Sequence, residues 1–246
     1  MPECSPAAIS DLAPTGKLRA AINLANNLLT GKEPVTGAPR GIAVDVAREL
    51  GRRLGVPVEI LEYDSPGAVA DAVTTGVWDV GFIGAEPQRA KEITFTPAYL
   101  EIEATYLVPP ESPLRAIADV DRKGVRIAVL ARSAYELYLS RSLRHAKLVL
   151  ESGFDSTFQR FVTGRLDALA GLRPQLVTDA EKLPGSRILD GRFTAVQQAI
   201  GTPKGRDAGA QYLREFVEDI KATGLVARTI EKNGIRGVSV ASAASQ

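Results

Sequence analysis

The sequence predicts an α/β fold made of two doubly wound α/β lobes joined by a two-strand hinge. Residues 17–100 alternate short apolar runs with amphipathic segments in the order β-α-β-α-β, which is typical of a parallel sheet with right-handed crossovers. The proline-rich segment 109–113 then interrupts regular structure, and a second, shorter series of strands and helices follows it. We therefore assign residues 1–106 and 202–246 to lobe 1 and residues 107–201 to lobe 2.

The elements of lobe 1 are predicted from the spacing of hydrophobic residues and from the positions of turn-forming residues. The clearest is an amphipathic helix over 41–54, whose arginines are expected on the solvated face and which Gly55 ends. Residues 1–17 are interpreted as a polar leader, residues 23–40 as a long loop and the final VASAASQ as a frayed tail. The other predicted elements are strands over 17–22, 57–63 and 79–83, a helix over 65–75 and two closing helices over 208–223 and 226–233.

Lobe 2 repeats the alternation with shorter elements. Ser133 is suited to cap the helix that follows it, because a serine side chain accepts a hydrogen bond from the first turn. The strands near 106–108 and 199–201 are the predicted hinges. A predicted strand over 99–108 leads from lobe 1 into this lobe. The other predicted elements are strands over 124–129, 147–150, 166–172 and 193–201, a short helix or turn over 117–121, and helices over 134–143, 155–163 and 173–183.

Composition excludes several classes of function. The 246 residues are 45% hydrophobic and 24% charged with a net charge of +1, so no global field attracts nucleic acid. The single cysteine, Cys4, excludes an internal disulfide, and the single histidine, His145, disfavours zinc sites and histidine-based catalysis. No apolar run is long enough to span a membrane, and no cofactor is expected. Since no extended apolar face is left over, we expect a monomer.

The stretch 78–99, WDVGFIGAEPQRAKEITFTPAY, is the centre of the predicted binding site. Its buried strand ends in Gly84 and Ala85, small residues that let another molecule approach the backbone. Arg89 follows in a polar turn, at the edge of the sheet where open α/β proteins place their ligands. A guanidinium at this edge can clasp a carboxylate through two parallel hydrogen bonds. The alternative is an arginine that caps a turn at the surface.

The order of motifs resembles the periplasmic solute-binding proteins of ABC transporters, specifically bacterial family 3, the polar amino-acid type with the type 2 periplasmic-binding fold. The resemblance covers about residues 17–233 and is most specific in QRAKEITFTPAY. The other matching segments are KLRAAIN, GIAVDVARELGRRLGVPVEI, GVWDVGFIG, GVRIAVLARSAYELYL and GRLDALAG.

The resemblance implies a set of ligand-binding residues. It places the arginine that holds the ligand's α-carboxylate at Arg89 and the polar residue that ends the first strand at Asn23. Contacts after the third strand fall on Gly84 and Ala85. The turn from Gly84 to Arg89 is about two residues shorter than in the family, and a family threonine is absent. The lobe 2 contacts fall on the helix start Ser133, Ala134 and Tyr135, where the helix dipole independently favours an anion.

One position departs from the family pattern. The acidic residue that pairs with the ligand's α-ammonium group would fall at Leu172, and leucine cannot neutralise a buried cation. We therefore expect a carboxylate-bearing ligand without a free α-amine, with Glu86 as a possible replacement acid. Arg132 is either a second anion contact or a solvated turn residue, and Tyr135 either lines the cleft or covers the core.

The resemblance predicts a binding protein that captures a small molecule in the cleft between its lobes, for delivery to an ABC permease. A cyclohexadienyl-dehydratase-like enzyme is the first alternative, but its catalytic glutamate would fall nearest Gln175, and an amide cannot act as the proton donor. A sensory or scavenging protein is the second alternative. The resemblance implies a periplasmic location, whereas the N-terminus shows no signal-peptide pattern, which makes the cytoplasm the alternative location.

Overall fold

A computed structural model describes residues 4–244. Within this range the chain forms thirteen strands and eight α-helices, with short 3-10 turns between them. The strands are β1 (Leu18–Asn23), β2 (Gly31–Lys32), β3 (Pro39–Arg40), β4 (Val58–Tyr63), β5 (Val80–Gly84), β6 (Ile93–Phe95), β7 (Leu100–Val108), β8 (Arg126–Leu130), β9 (Lys147–Glu151), β10 (Ala168–Leu172), β11 (Arg187–Ile188), β12 (Thr194–Pro203) and β13 (Val238–Val240). The helices are α1 (Pro6–Leu12), α2 (Ile42–Leu54), α3 (Pro66–Asp71), α4 (Ala134–Ser142), α5 (Phe154–Thr163), α6 (Arg173–Glu181), α7 (Asp207–Ala222) and α8 (Leu225–Lys232).

The α/β class and the alternation of strands and helices predicted from the sequence are confirmed. The backbone divides into two compact units: unit 1 comprises the described parts of Met1–Glu101 and Gln197–Gln246, and unit 2 comprises Ile102–Val196. These divisions fall before the predicted boundaries at 106/107 and 201/202. The chain passes from one unit to the other within β7 and again within β12.

The sheet of unit 1 has the strand order β4-β1-β5-β12. The strand β1 is parallel to both β4 and β5, while β12 is antiparallel to β5. Because β4, β1 and β5 run the same way, their last residues Tyr63, Asn23 and Gly84 lie at one edge of the sheet. The hydrophobic core behind this sheet includes Trp78 and Ile83, both buried.

Unit 2 has the strand order β7-β10-β8-β9. The strands β10, β8 and β9 are mutually parallel, and β7 is antiparallel to β10. The core of this unit is built on Leu107, Phe158, Phe161 and Leu169, which come from β7, α5 and β10. The carboxyl ends of β8 and β10 lie at one edge, which places Leu130 and Leu172 on the same side of the unit.

The local sequence explains where the helices begin and end. Gly55 ends α2 because its backbone adopts φ 70°, a left-handed conformation that glycine accepts without steric cost. Ser65 caps α3 by accepting a hydrogen bond from the Ala68 backbone N–H at 3.1 Å, and Pro66 occupies the first helical position.

The structure corrects four details of the sequence prediction. The polar leader contains α1, because Ala8 and Leu12 are buried and the helix packs on α7. The loop 23–40 contains the short hairpin β2–β3. The tail is not frayed at its start, since Val238–Val240 is a strand and the Ala241 N–H donates to the Tyr99 carbonyl at 3.3 Å. The arginines of α2 do not all face solvent, because the side chain of Arg53 is buried.

None of the helices within residues 4–244 is both long enough and apolar enough to cross a membrane.

Candidate functional site

Asn23 ends β1 at the carboxyl edge of the unit 1 sheet. Its side chain is buried, and its Oδ1 atom accepts a hydrogen bond from the Ala25 N–H at 3.1 Å. Its backbone carbonyl accepts from the Thr30 hydroxyl at 2.9 Å. These two bonds turn the chain immediately after the strand, and they hold the asparagine at the edge where the sequence predicts the ligand.

Arg89 lies in a 3-10 turn at the same edge. Its side chain is only 6% exposed, and one guanidinium nitrogen donates to the Gly84 carbonyl at 2.6 Å. The short turn therefore folds the guanidinium back onto the end of β5. Since arginine is always protonated in proteins, this edge carries a permanent buried positive charge. Such a charge is matched best by a carboxylate that brings its own hydrogen-bond acceptors.

The residues between Gly84 and Arg89 are largely engaged with their own unit. Gly84 pairs with Gln198 of β12, and the Ala85 N–H donates to the Gln197 carbonyl at 2.8 Å. The Glu86 carbonyl accepts from the Ala90 N–H at 3.0 Å, which closes the turn. The Ala85 N–H is thus hydrogen-bonded to β12. A ligand contact predicted at Ala85 therefore has to use another atom of this residue or share this N–H group.

In unit 2 the predicted anion contacts lie in the first turn of α4. Ser133 is the N-cap, with its hydroxyl accepting from the Glu136 N–H at 3.1 Å. The N–H groups of Ala134 and Tyr135 belong to the first turn, where no helical carbonyl is available to accept from them. The side chain of Tyr135 is buried, and burial raises the pKa of its hydroxyl well above the usual value. The phenol therefore stays neutral at physiological pH, and the ring is largely removed from solvent.

Glu136 is a buried residue of this turn that the sequence analysis did not select. Its Oε2 atom accepts from the Arg132 backbone N–H at 2.9 Å, and its Oε1 atom accepts from the Ser140 hydroxyl. Arg132 itself has φ 60°, which is unusual for a residue with a side chain. The spacing of Ser133 and Glu136 is that of a capping box, and this signal could have identified the glutamate.

Leu172 ends β10 and forms the N-cap of α6. It is 5% exposed, so its isobutyl group is part of the packed interior and offers no charge to a ligand. One turn later, the Gln175 amide donates to the Asp179 carboxylate at 3.3 Å, and Lys182 donates to the same oxygen atom at 2.9 Å. No described residues form a cluster of three or more histidine, cysteine or acidic side chains that could hold a metal ion.

The structure therefore brings the predicted residues together in two groups. In unit 1, Asn23 and the segment from Gly84 to Arg89 share the carboxyl edge of the sheet. In unit 2, the turn from Arg132 to Tyr135 follows β8, and Leu172 ends β10, whose carboxyl end lies at the same edge as that of β8.

Comparison with known proteins identifies the class of fold. A curated glutamine-binding protein from Geobacillus stearothermophilus is 24% identical over 194 residues, which cover 77% of this chain and 73% of the relative. An ancestral amino acid-binding protein, described as a precursor of cyclohexadienyl dehydratase, superposes with a TM-score of 0.74 at 23% identity, covering 92% of this chain and 98% of the other.

Two further solved structures have a similar fold. An amino acid ABC transporter substrate-binding protein from Streptococcus pneumoniae, bound to L-arginine, gives a TM-score of 0.74 at 20% identity and covers 95% of this chain and 99% of its own. A putative ABC transporter binding component from Wolinella succinogenes, complexed with lysine, gives a TM-score of 0.75 at 20% identity over 89% of this chain and 95% of its own. These likenesses show the type 2 periplasmic-binding fold.

The family model of the bacterial extracellular solute-binding proteins, family 3, matches residues 30–234, which is most of the chain. With the fold and the order of motifs described above, the chain belongs to the bacterial extracellular solute-binding proteins of family 3.

Proposed function

We propose that this chain captures a small carboxylate-bearing molecule for an ABC-type uptake system, with Arg89 as the main contact to the carboxylate. The observation that carries the proposal is the buried guanidinium of Arg89, held at the carboxyl end of β5 by the Gly84 carbonyl. A guanidinium at this edge of the sheet can clasp a carboxylate through two parallel hydrogen bonds. The resemblance to the family implies this role for the arginine at this position.

The first turn of α4 is the proposed second contact. Its N–H groups and the helix dipole favour a negative charge, and the hydroxyl of Ser133 fixes the geometry of the turn. Glu136 lies in the same turn and accepts from the Arg132 N–H, so a ligand anion would have to approach on the side of Ala134 and Tyr135.

The proposed ligand lacks a free α-amine. The named relatives bind amino acids: one is a glutamine-binding protein, and the two solved structures hold arginine and lysine. An α-ammonium group buried against Leu172 would contact an apolar side chain. Its positive charge would then lack the carboxylate that a buried cation needs at this position. Glu86 is the acid in unit 1 that would hold an ammonium group if the ligand carries one.

Binding, not catalysis, is the proposed activity. The resemblance puts the position of the dehydratase glutamate nearest Gln175, whose amide donates to Asp179 in the same helix at 3.3 Å. An amide does not transfer a proton as a carboxylic acid does. The family is described as extracellular, which supports a periplasmic location, and an ABC permease is the proposed partner.

The experiment is a thermal-shift screen of the purified chain against α-amino acids and against acids of matching shape without the amine. A ligand that binds only the folded form at a hundred times its Kd stabilises it by about 2.7 kcal/mol. We expect the largest shift with the amine-free acids. The variant Arg89→Met, which keeps the length of the side chain without the charge, should lose this response.

Arg48→Met is the matched control, because Arg48 is an exposed residue of α2 whose guanidinium donates to the Pro39 carbonyl at 3.2 Å. It should keep the full response. A screen in which α-amino acids give the larger shift would refute the amine-free ligand but keep the anion contact. A response that survives in Arg89→Met would refute the anion contact itself.

A further inference from the structure

Unit 2 contains a hollow of about 220 Å³ at the amino end of β10. The predicted ligand residues of this unit follow the carboxyl ends of β8 and β10, so the hollow lies at the other end of the strand. Its walls come from the segment after β7, the end of α5 and the segment after α6. The apolar wall residues are Pro109, Pro110, Phe161, Val162, Leu166 and Leu183.

The hollow suits an apolar group. Phe161 and Leu166 belong to the hydrophobic core of unit 2, so the floor of the hollow is continuous with that core. Val162 on the rim is 37% exposed, which makes it one of the few large apolar side chains that face solvent among the described residues. An apolar ligand would remove this surface from water, and that transfer is favourable in proportion to the area covered.

The rim of the hollow carries a cation, Arg165. Its backbone has φ 46°, in the left-handed region where a side chain costs conformational energy. Two hydrogen bonds hold this conformation: the Arg165 N–H donates to the Val162 carbonyl at 3.2 Å, and the Arg165 carbonyl accepts from the Arg126 guanidinium at 2.6 Å. Within residues 4–244, the guanidinium of Arg165 forms no ion pair.

The acid on the rim, Asp167, is already neutralised. Its Oδ2 atom accepts from the Arg126 N–H at 2.8 Å and lies 3.6 Å from the Arg126 Nε atom. Arg126 does not line the hollow, but it contacts both Asp167 and the Arg165 carbonyl, so this group of two arginines and one aspartate carries an excess positive charge. The hollow therefore combines an apolar interior with a cationic rim.

We propose that this hollow is a second binding site, for a small apolar carboxylate such as a short-chain fatty acid. The hydrocarbon part packs against Phe161, Val162 and Leu166, and the carboxylate pairs with Arg165. The site goes beyond the proposed function, because it lies within unit 2 alone and uses none of the residues assigned to the transported ligand. An arginine kept in a strained backbone conformation is explained if its side chain has this role.

The test is a titration of the isotope-labelled full chain with hexanoate, followed by amide NMR shifts. Hexan-1-ol serves as the neutral probe. The titration is run on the wild type and on Arg89→Met, so that any carboxylate binding at Arg89 is separated from binding at the hollow. We expect saturable shifts of the Val162, Leu166 and Asp167 amides in both proteins, and tighter binding of hexanoate than of hexan-1-ol. In the series butyrate, hexanoate, octanoate, each added CH₂ that is buried should tighten binding about fourfold.

Two variants locate the site. Arg165→Asn removes the charge, and asparagine tolerates the left-handed backbone, so hexanoate should bind at least fivefold more weakly while hexan-1-ol is unaffected. Val162→Glu places a carboxylate at an exposed position of the rim and should abolish hexanoate binding. The matched control is Arg160→Gln on α5, the helix that contains Val162. The Arg160 side chain lies 3.8 Å from Glu151 and does not line the hollow.

The proposal is overturned if the amides around the hollow show no saturable shift with hexanoate. It is equally overturned if Arg165→Asn and Arg160→Gln bind hexanoate alike. Neither result bears on Arg89, because the transported ligand is tested with its own variants.

Discussion

Asp79 and Asp167 occupy equivalent positions in the two units. Each precedes a strand and exchanges hydrogen bonds with an arginine on the neighbouring parallel strand. The Asp79 N–H donates to the Arg19 carbonyl at 2.9 Å, and the Arg19 N–H donates to the Asp79 carboxylate at 3.0 Å. In unit 2 the corresponding bonds between Asp167 and Arg126 measure 3.0 Å and 2.8 Å. The side chain of Asp79 is fully buried, whereas that of Asp167 is 42% exposed.

This difference in burial predicts different effects of the same substitution. Asp79 also binds the guanidinium groups of Arg19 and Arg206, so Asp79→Asn removes the buried carboxylate that two partly buried cations share. We expect Asp79→Asn to lower the free energy of unfolding by roughly 3–5 kcal/mol. Asp167→Asn should lower it by about 1 kcal/mol or less, because its ion pair is exposed to solvent. Urea unfolding of both variants measures this, and equal losses would contradict the role of burial.

Leu172 is the single residue on which the proposed choice of ligand depends. Leu172→Asp would place a carboxylate at the end of β10, where it can pair with an ammonium group. We expect the variant to bind α-amino acids at least tenfold more tightly than the wild type, and amine-free acids more weakly because the two carboxylates repel. Leu172→Asn has nearly the same shape without the charge and is the control. If calorimetry shows that both variants bind amino acids equally well, the charge is not the deciding property.

At the scale of elements, α2 and α7 are held together by Arg53. Its side chain is 6% exposed and contacts Glu49 at 2.7 Å and Asp219 at 2.6 Å. Its guanidinium also lies 5.1 Å from the centre of the Phe216 ring. Helical period alone places this arginine on the solvated face, but α7 covers that position of α2. The pairing partner Asp219 comes from a distant part of the chain, and so the sequence of α2 does not indicate it.

The cluster around Arg53 should make stability depend on pH. Hydrogen bonds from Arg52 and Arg53 hold the pKa of Glu49 at about 2, below the usual value of 4.5. A carboxylate with a lowered pKa in the folded state contributes stability that is present above pH 4.5 and is lost as the pH falls towards 2. We expect Glu49→Gln to cost about 2 kcal/mol at pH 7, reduced from the full linkage value because Arg52 is exposed.

The check is the difference in unfolding free energy between wild type and Glu49→Gln at a series of pH values. The difference should shrink steadily between about pH 5 and pH 2. A difference that stays constant over this range would mean that the glutamate contributes through packing and not through its charge.

At the scale of the whole molecule, unit 1 is assembled from two segments that are far apart in sequence, while unit 2 is one continuous segment. The contacts that join the two segments of unit 1 are specific. Arg206 binds the carboxylate of Asp79, and the Gly209 N–H donates to the Asp11 carboxylate at 2.9 Å. These contacts close long loops, and their entropic cost is repaid by the burial of α7 against α1. The returning helices are therefore part of the core of unit 1.

The sequence by itself determined the α/β class, the order of the main strands and helices, the serine cap at Ser133 and the polar turn that holds Arg89. These features are local: hydrophobic period, a capping serine and a glycine after a helix act within a few residues. The family followed from the same order of motifs.

Only the tertiary structure decided which charged groups are buried and which elements the terminal segments join. Helix α1 has only two buried apolar residues and β13 has only three residues, so the hydrophobic pattern of each is too short to identify it. Their contacts are with distant residues: Gly209 of α7 donates to Asp11 of α1, and Ala241, which follows β13, donates to the Tyr99 carbonyl. The same is true of Arg53, which pairs with Asp219 of α7, and of Arg165, whose carbonyl accepts from the guanidinium of Arg126 on β8. Burial and backbone strain depend on what packs against a residue, and that is a property of the folded chain and not of its local sequence.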